Sequence, residues 1–137
     1  MSYHNGTVWP HDNSLIAYGA SRYGLQDFAA RVLAGMFAAG TYFDLSRMPE
    51  LFCGFDREPG EGPVPYPVAC APQAWAAGSV FLILQACLGL GVSGVERQVW
   101  FHRPQLPPSC PSCGSRTWAS RGRPWTSCSS VTGRTSA

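Results

Sequence analysis

Residues Tyr3-His4-Asn5-Gly6-Thr7-Val8-Trp9-Pro10-His11-Asp12-Asn13 place aromatic rings, imidazoles, amides and one carboxylate within a single short stretch. This mixture suits a carbohydrate, whose hydroxyls need paired donors and acceptors and whose C–H faces stack on aromatic rings. The same residues also fit a plainer role, a capped helix start with a packed aromatic and a polar surface. Metal binding is not supported: His4, His11 and Asp12 are ligand types, but no helix-spaced pair or second cluster accompanies them. A second feature is Pro49-Glu50-Leu51-Phe52-Cys53-Gly54-Phe55, one carboxylate among apolar neighbours. Burial raises a carboxyl pKa unless hydrogen bonds or a cation favour the ionised form. A perturbed carboxylate in a cleft is a catalytic candidate. Asp56, Glu58 and Glu61, flanked by Gly and Pro, read as exposed turn residues.

The elements that must position these residues are helical. Trp9-Pro10 blocks a helix upstream, Asp12 or Asn13 can cap one running to about Tyr23, and Gly24 ends it. Leu25, Phe28, Ala29, Val32, Leu33, Met36, Phe37 and Gly40 then recur at steps of three and four, which predicts a second helix with one apolar stripe. Asp27 and Arg31, four apart, fall on its wet face. Between Asp44 and Pro72 the periodicity disappears. Leu51, Phe52, Phe55, Tyr66 and Val68 carry too much apolar surface for that loop to float free, so a long ordered loop is expected. Pro72 suits the start of a third helix, Gln73 to Leu88, apolar nearly all round and so expected to be buried on most sides. The apolar run Ala74 to Val92 approaches the about 20 residues of a membrane span. Its glycines and lack of flanking Lys or Arg favour a core helix instead.

Charge divides the chain unequally. Residues 1–96 hold all eight Asp and Glu with four Arg, residues 97–137 hold six Arg and no acid, and there is no Lys. From Pro107 onward Val131 is the only Leu, Ile, Val or Phe, too little apolar surface to offset chain entropy. The chain therefore reads as a folded part, 1–106, and a disordered basic tail rich in Ser, Arg and Cys, 107–137. Cys110 and Cys113 form only half of a zinc site. Arg, Ser, Trp, Cys and Gly enrichment without acids or Lys is also what a GC-rich gene yields when read out of frame. Codons allowed for the tail, read one nucleotide earlier, can encode a strand-like TVDLVLE stretch. Cys53, Cys70 and Cys87, in apolar surroundings, read as reduced core residues. No basic region followed by an apolar run opens the chain, so no signal peptide is expected and the location is expected to be cytoplasmic.

Three strings carry a family resemblance: Ser2 to Gly19, Pro49 to Phe55, and Pro65-Tyr66-Pro67-Val68-Ala69-Cys70-Ala71-Pro72-Gln73-Ala74-Trp75-Ala76-Ala77-Gly78. Over residues 2–106 they resemble the C-terminal part of the bacterial amylo-alpha-1,6-glucosidase (glycogen debranching enzyme-like) family. They are similar, more distantly, to the glucosidase half of eukaryotic debranching enzymes and to other glycosidases with an (α/α)6 toroid. The resemblance implies an all-α chain, about three helices of an incomplete toroid, with helices 12–23 and 73–88 inner and 25–43 outer. It implies that Glu50 is the general base of an inverting hydrolase, activating water while a general acid upstream protonates the glycosidic oxygen. The two carboxyls of such enzymes stand about 6.5–9.5 Å apart. Tyr3, His4, Trp9, Asp12 and Asn13 would shape the −1 subsite, with Gln73 and Trp75 supporting it. The implied partner is an α-glucan or oligosaccharide, together with the upstream part of the same domain. No cofactor, metal, membrane or nucleic acid is expected, and the isolated chain is expected to be inactive for want of the acid. A reading from another class is a small non-enzymatic helical protein whose basic tail binds nucleic acid through Arg and Trp.

Overall fold

The computed structural model describes residues 1–107. The rest of the tail, with Cys110, Cys113 and the out-of-frame reading, lies outside the described residues. In chain order the elements are β1 (Thr7–Val8), α1 (Pro10–Arg22), α2 (Gln26–Gly40), a 3-10 turn (Asp44–Ser46), β2 (Phe52–Cys53), α3 (Ala74–Leu88), β3 (Leu90–Ser93) and β4 (Gln98–Phe101). Among the described residues the structure is mainly helical, but the all-α expectation needs correction. β1 pairs antiparallel with β2, Thr7 opposite Cys53 and Val8 opposite Phe52. β3 and β4 form an antiparallel hairpin, Leu90 opposite Phe101 through Ser93 opposite Gln98.

α1 begins before the expected Asp12 or Asn13 cap. Trp9 is the extended N-cap and Pro10 opens the helix, where its fixed φ fits and its missing N–H costs nothing. Asn13 donates its side-chain amide back to the Trp9 carbonyl at 2.9 Å, and Asp12 lies in the first turn, favourably placed for the helix dipole. Gly24 ends the helix as expected, at φ +83, with its N–H on the Ser21 carbonyl.

The stripe of α2 is narrower than its periodicity suggests. Ala29, Leu33, Met36 and Gly40 are buried, whereas Leu25 and Phe37 face outward and Asp27 and Arg31 are exposed as expected. α3 departs further from expectation. It buries only Ala76, Ser79, Ile83, Ala86 and Cys87, while Trp75 is 58% and Phe81 76% exposed. The reason is the number of neighbours: α1 and α2 cover one side of α3, and among the described residues no further helix covers the other. No helix there is long and apolar enough to cross a membrane.

Met48 and Leu51 anchor the long loop in the core, but Phe55 and Val68 are exposed. Cys53, Cys70 and Cys87 are free, yet only Cys87 is buried; Cys53 is half-buried and Cys70 exposed, so the core reading holds for Cys87 alone. Pro107, assigned above to the tail, is buried, and the Gln105 N–H donates to the Cys87 carbonyl at 2.8 Å.

Gly89 joins α3 to the hairpin in the left-handed region, φ +57, and a Cβ there would stand 2.0 Å from the His102 carbonyl oxygen. Gly94, in the hairpin turn, has open space where its Cβ would be. Gly89→Ala is therefore expected to cost about 1–3 kcal/mol and Gly94→Ala less than about 0.5 kcal/mol. Urea unfolding of the two variants side by side checks this.

Candidate functional site

Three chain segments meet at Glu50. The Glu50 N–H donates to the Cys70 carbonyl at 2.8 Å, and the Cys70 N–H donates back to Glu50 Oε2 at 3.1 Å. The other carboxylate oxygen, Oε1, accepts the Tyr3 hydroxyl at 2.5 Å. Tyr3 is itself fixed from several sides. Its carbonyl accepts the Thr7 hydroxyl at 2.8 Å, and Thr7 in turn accepts the Trp9 indole N–H at 3.1 Å. The Tyr3 ring lies edge-on to His4, Trp9 and Tyr66, with centroids 4.9, 5.1 and 5.8 Å away. The His4 and Trp9 rings are stacked, 5.5 Å apart and 3° from parallel.

Glycine makes the approach of the two loops possible. Gly6 adopts φ +78, and the Gly54 N–H reaches the Gly6 carbonyl at 2.9 Å. A Cβ on Gly54 would stand 2.8 Å from that same oxygen, so a side chain there pushes the loops apart. The helix starts are brought together as well. His11 in the first turn of α1 stacks on Trp75 in the first turn of α3, 4.7 Å apart and tilted by 21°. The cluster thus sits where α1 and α3 begin.

The electrostatics follow from these bonds. The Glu50 carboxyl lies below its ordinary pKa, chiefly through the Tyr3 hydroxyl and next through the Cys70 N–H. Desolvation pushes the other way and loses, and Gln73 adds a smaller push downward. The expectation that apolar neighbours raise this carboxyl is therefore resolved in favour of the ionised form. The same bond pushes the Tyr3 phenol up to about 12, with desolvation and the Glu50 charge adding to it.

Of the residues singled out by sequence, Tyr3, His4, Trp9 and Glu50 form one cluster, and Gln73 adjoins it as the N-cap of α3, its buried Oε1 without a hydrogen-bond partner. Asp12 is exposed, 3.8 Å from the His11 imidazole, and forms no hydrogen bond to the cluster. Asn13 is committed to the Trp9 carbonyl, and Trp75 joins the site through His11. Sequence reasoning missed Tyr66 and Cys70 as parts of the site, and had His11 only as one member of the first-loop mixture. Tyr66 had a signal, an aromatic held between prolines; Cys70 acts chiefly through its backbone, which residue type does not reveal. No group of three His, Cys, Asp or Glu suited to a metal occurs among the described residues.

Chemically, the arrangement holds an ionised carboxylate with one donor on each oxygen. Each oxygen keeps a further lone pair for a water or a ligand hydroxyl. Compared with known proteins, the sequence matches no family model and no curated protein.

Linkage gives the pH dependence its sign. The lowered Glu50 contributes stability that is complete above its ordinary value of 4.5 and lost as pH falls through the lowered one. The raised Tyr3 contributes stability that is complete below 10 and lost as pH rises toward about 12. In a 13C carboxyl and ultraviolet phenol titration, Tyr3 is expected to ionise above the ordinary 10 and Glu50 below the ordinary 4.5. Tyr3→Phe is expected to move the Glu50 carboxyl upward; an unchanged Glu50 titration counts against the bond.

Proposed function

We propose that this chain is the C-terminal part of a glycoside hydrolase domain similar to amylo-alpha-1,6-glucosidase, an (α/α)6 toroid in which Glu50 is the general base. The observation that carries this reading is the ionised Glu50 carboxylate, fixed within a cluster of Tyr3, His4, Trp9 and Tyr66 at the starts of α1 and α3. A toroid with α1 and α3 as inner helices and α2 as outer one puts sugar-binding loops at the inner helix starts, and the His11–Trp75 stack agrees with α1 and α3 running side by side.

In the proposed reaction Glu50 takes a proton from a water whose oxygen attacks the anomeric carbon. The bond from that carbon to the glycosidic oxygen breaks, and a second carboxyl protonates the leaving oxygen, so configuration inverts. On this reading the acid is supplied from upstream, as the resemblance implies, because Asp12, the one carboxylate of the first loop, is exposed beside His11 and forms no hydrogen bond to the cluster. The substrate is an α-glucosidic bond in a glycogen-like glucan or an oligosaccharide. Tyr3, His4 and Trp9 give the −1 sugar its aromatic and polar surroundings, and Gln73 and Trp75 border it.

The decisive experiment grafts residues 1–106 into an amylo-alpha-1,6-glucosidase in place of its own matching segment and measures turnover of an α-1,6-linked glucoside. The graft is expected to be active, and Glu50→Gln within it to lower turnover by at least about 10²-fold. Undiminished turnover in that variant removes the base assignment. The chain by itself is expected to hydrolyse nothing.

A further inference from the structure

Away from the Glu50 cluster, the C-terminal half of α2 and the segment 52–64 enclose an open cavity of about 540 Å³. That lies within the roughly 300–1,000 Å³ of small-molecule pockets. Part of its wall is apolar and aromatic, from Met36, Tyr42, Phe52 and Phe55. The remainder carries Asp56, Glu58 and Glu61 with one cation, Arg57, all four exposed, three negative charges to one positive. Among the described residues, none of these four side chains takes part in an ion pair or a hydrogen bond; the ion pairs are His11–Asp12 and Arg47–Asp44. The cavity shares no side chain with the Glu50 cluster.

The wall is held in place by the backbone. The Cys53 N–H donates to the Val64 carbonyl at 2.9 Å at the base of the loop, and the Glu61 N–H donates to the Glu58 carbonyl at 3.1 Å around Gly60, φ +83. The Tyr42 ring occupies the space a side chain at Gly62 would fill, a Cβ there standing 2.6 Å from Tyr42 Cδ1. The turn therefore holds both glutamates at the lining and the glycine seats the ring against it.

We propose that this cavity binds an organic cation of the alkylammonium type. Its alkyl groups would lie against the Tyr42, Phe52 and Phe55 rings, whose faces attract positive charge, with the carboxylates supplying the opposite charge. An anion would meet a net negative lining. The inference is independent of the glycosidase reading.

The test titrates the full chain with choline and with its uncharged isostere 3,3-dimethyl-1-butanol at matched ionic strength, following backbone amide chemical shifts. Choline is expected to shift the Tyr42, Glu61 and Gly62 amides saturably, and the isostere to bind roughly tenfold more weakly. Glu58→Gln with Glu61→Gln is expected to weaken choline binding by a similar factor, and Tyr42→Phe to preserve it because the ring remains. Equal binding of the isostere, no saturable shift with choline, or undiminished binding in the double variant would each overturn the proposal. Tyr42→Leu supplies a further check if its spectrum away from the cavity matches the parent: it must lose binding.

Discussion

The Glu50 carboxylate is the junction on which the local architecture depends. It joins the loop before α1 to the segment before α3 through Tyr3, 47 residues upstream, and Cys70, 20 residues downstream. The β1–β2 ladder beside it has only two residue pairs, far below what an isolated sheet needs to persist. The ladder alone therefore does not fix the loops. Side-chain bonds to one carboxylate, the Gly6–Gly54 contact and the edge-on rings around Tyr3 supply the missing constraint. A carboxylate taken partly out of water is costly unless donors meet it, and donors from separate segments meet this one only when the loops are in register. Charge and fold are thus coupled here.

Packing explains where the helices stand. Ala76, Ser79, Ile83 and the Ala86–Cys87 pair recur at helical steps along the covered side of α3. Small residues at Ala76, Ser79 and Ala86 let α1 and α2 approach closely. On the other side, Phe81 and Leu84 are exposed, and Leu15 and Ile16 on α1 are exposed as well. An apolar surface of that extent on a helix that is hydrophobic all round marks a face made to be covered. On the proposed reading it is where further helices of the toroid pack.

Much of this was legible from residue order. The three helices, the Gly24 stop, the wet Asp27 and Arg31 and the long loop follow from spacing and turn chemistry, because those signals are local. The cluster of Tyr3, His4, Trp9 and Glu50 was legible only as candidates; its geometry depends on pairing across tens of residues. The β3–β4 hairpin escaped because Leu90 to Val92 continues the apolar run of α3 without a change in residue character. Only Gly89, placed left-handed under the His102 carbonyl, divides helix from strand. The outward turn of Phe37 and Phe81 escaped for the opposite reason. Periodicity tells which residues share a face, but not how many neighbours are present to cover it.

The sign of the Glu50 shift bears on what such a carboxylate can do. Donors that stabilise the charge make the carboxylate available at neutral pH and make it a weaker base at the same time. For a reaction whose transition state needs a strong base, that would be a handicap. Glycoside hydrolysis passes through an oxocarbenium-like state in which bond breaking leads, so the attacking water needs orientation more than deep deprotonation. A carboxylate with one oxygen tied to a phenol and the other to a backbone N–H is rigid in both position and plane. Its remaining lone pairs then point in fixed directions, which suits orienting a water better than removing a proton from a reluctant donor. On the proposed reading, the Tyr3 bond therefore trades base strength for geometry, and the exchange favours turnover only because the second carboxyl supplies the acid.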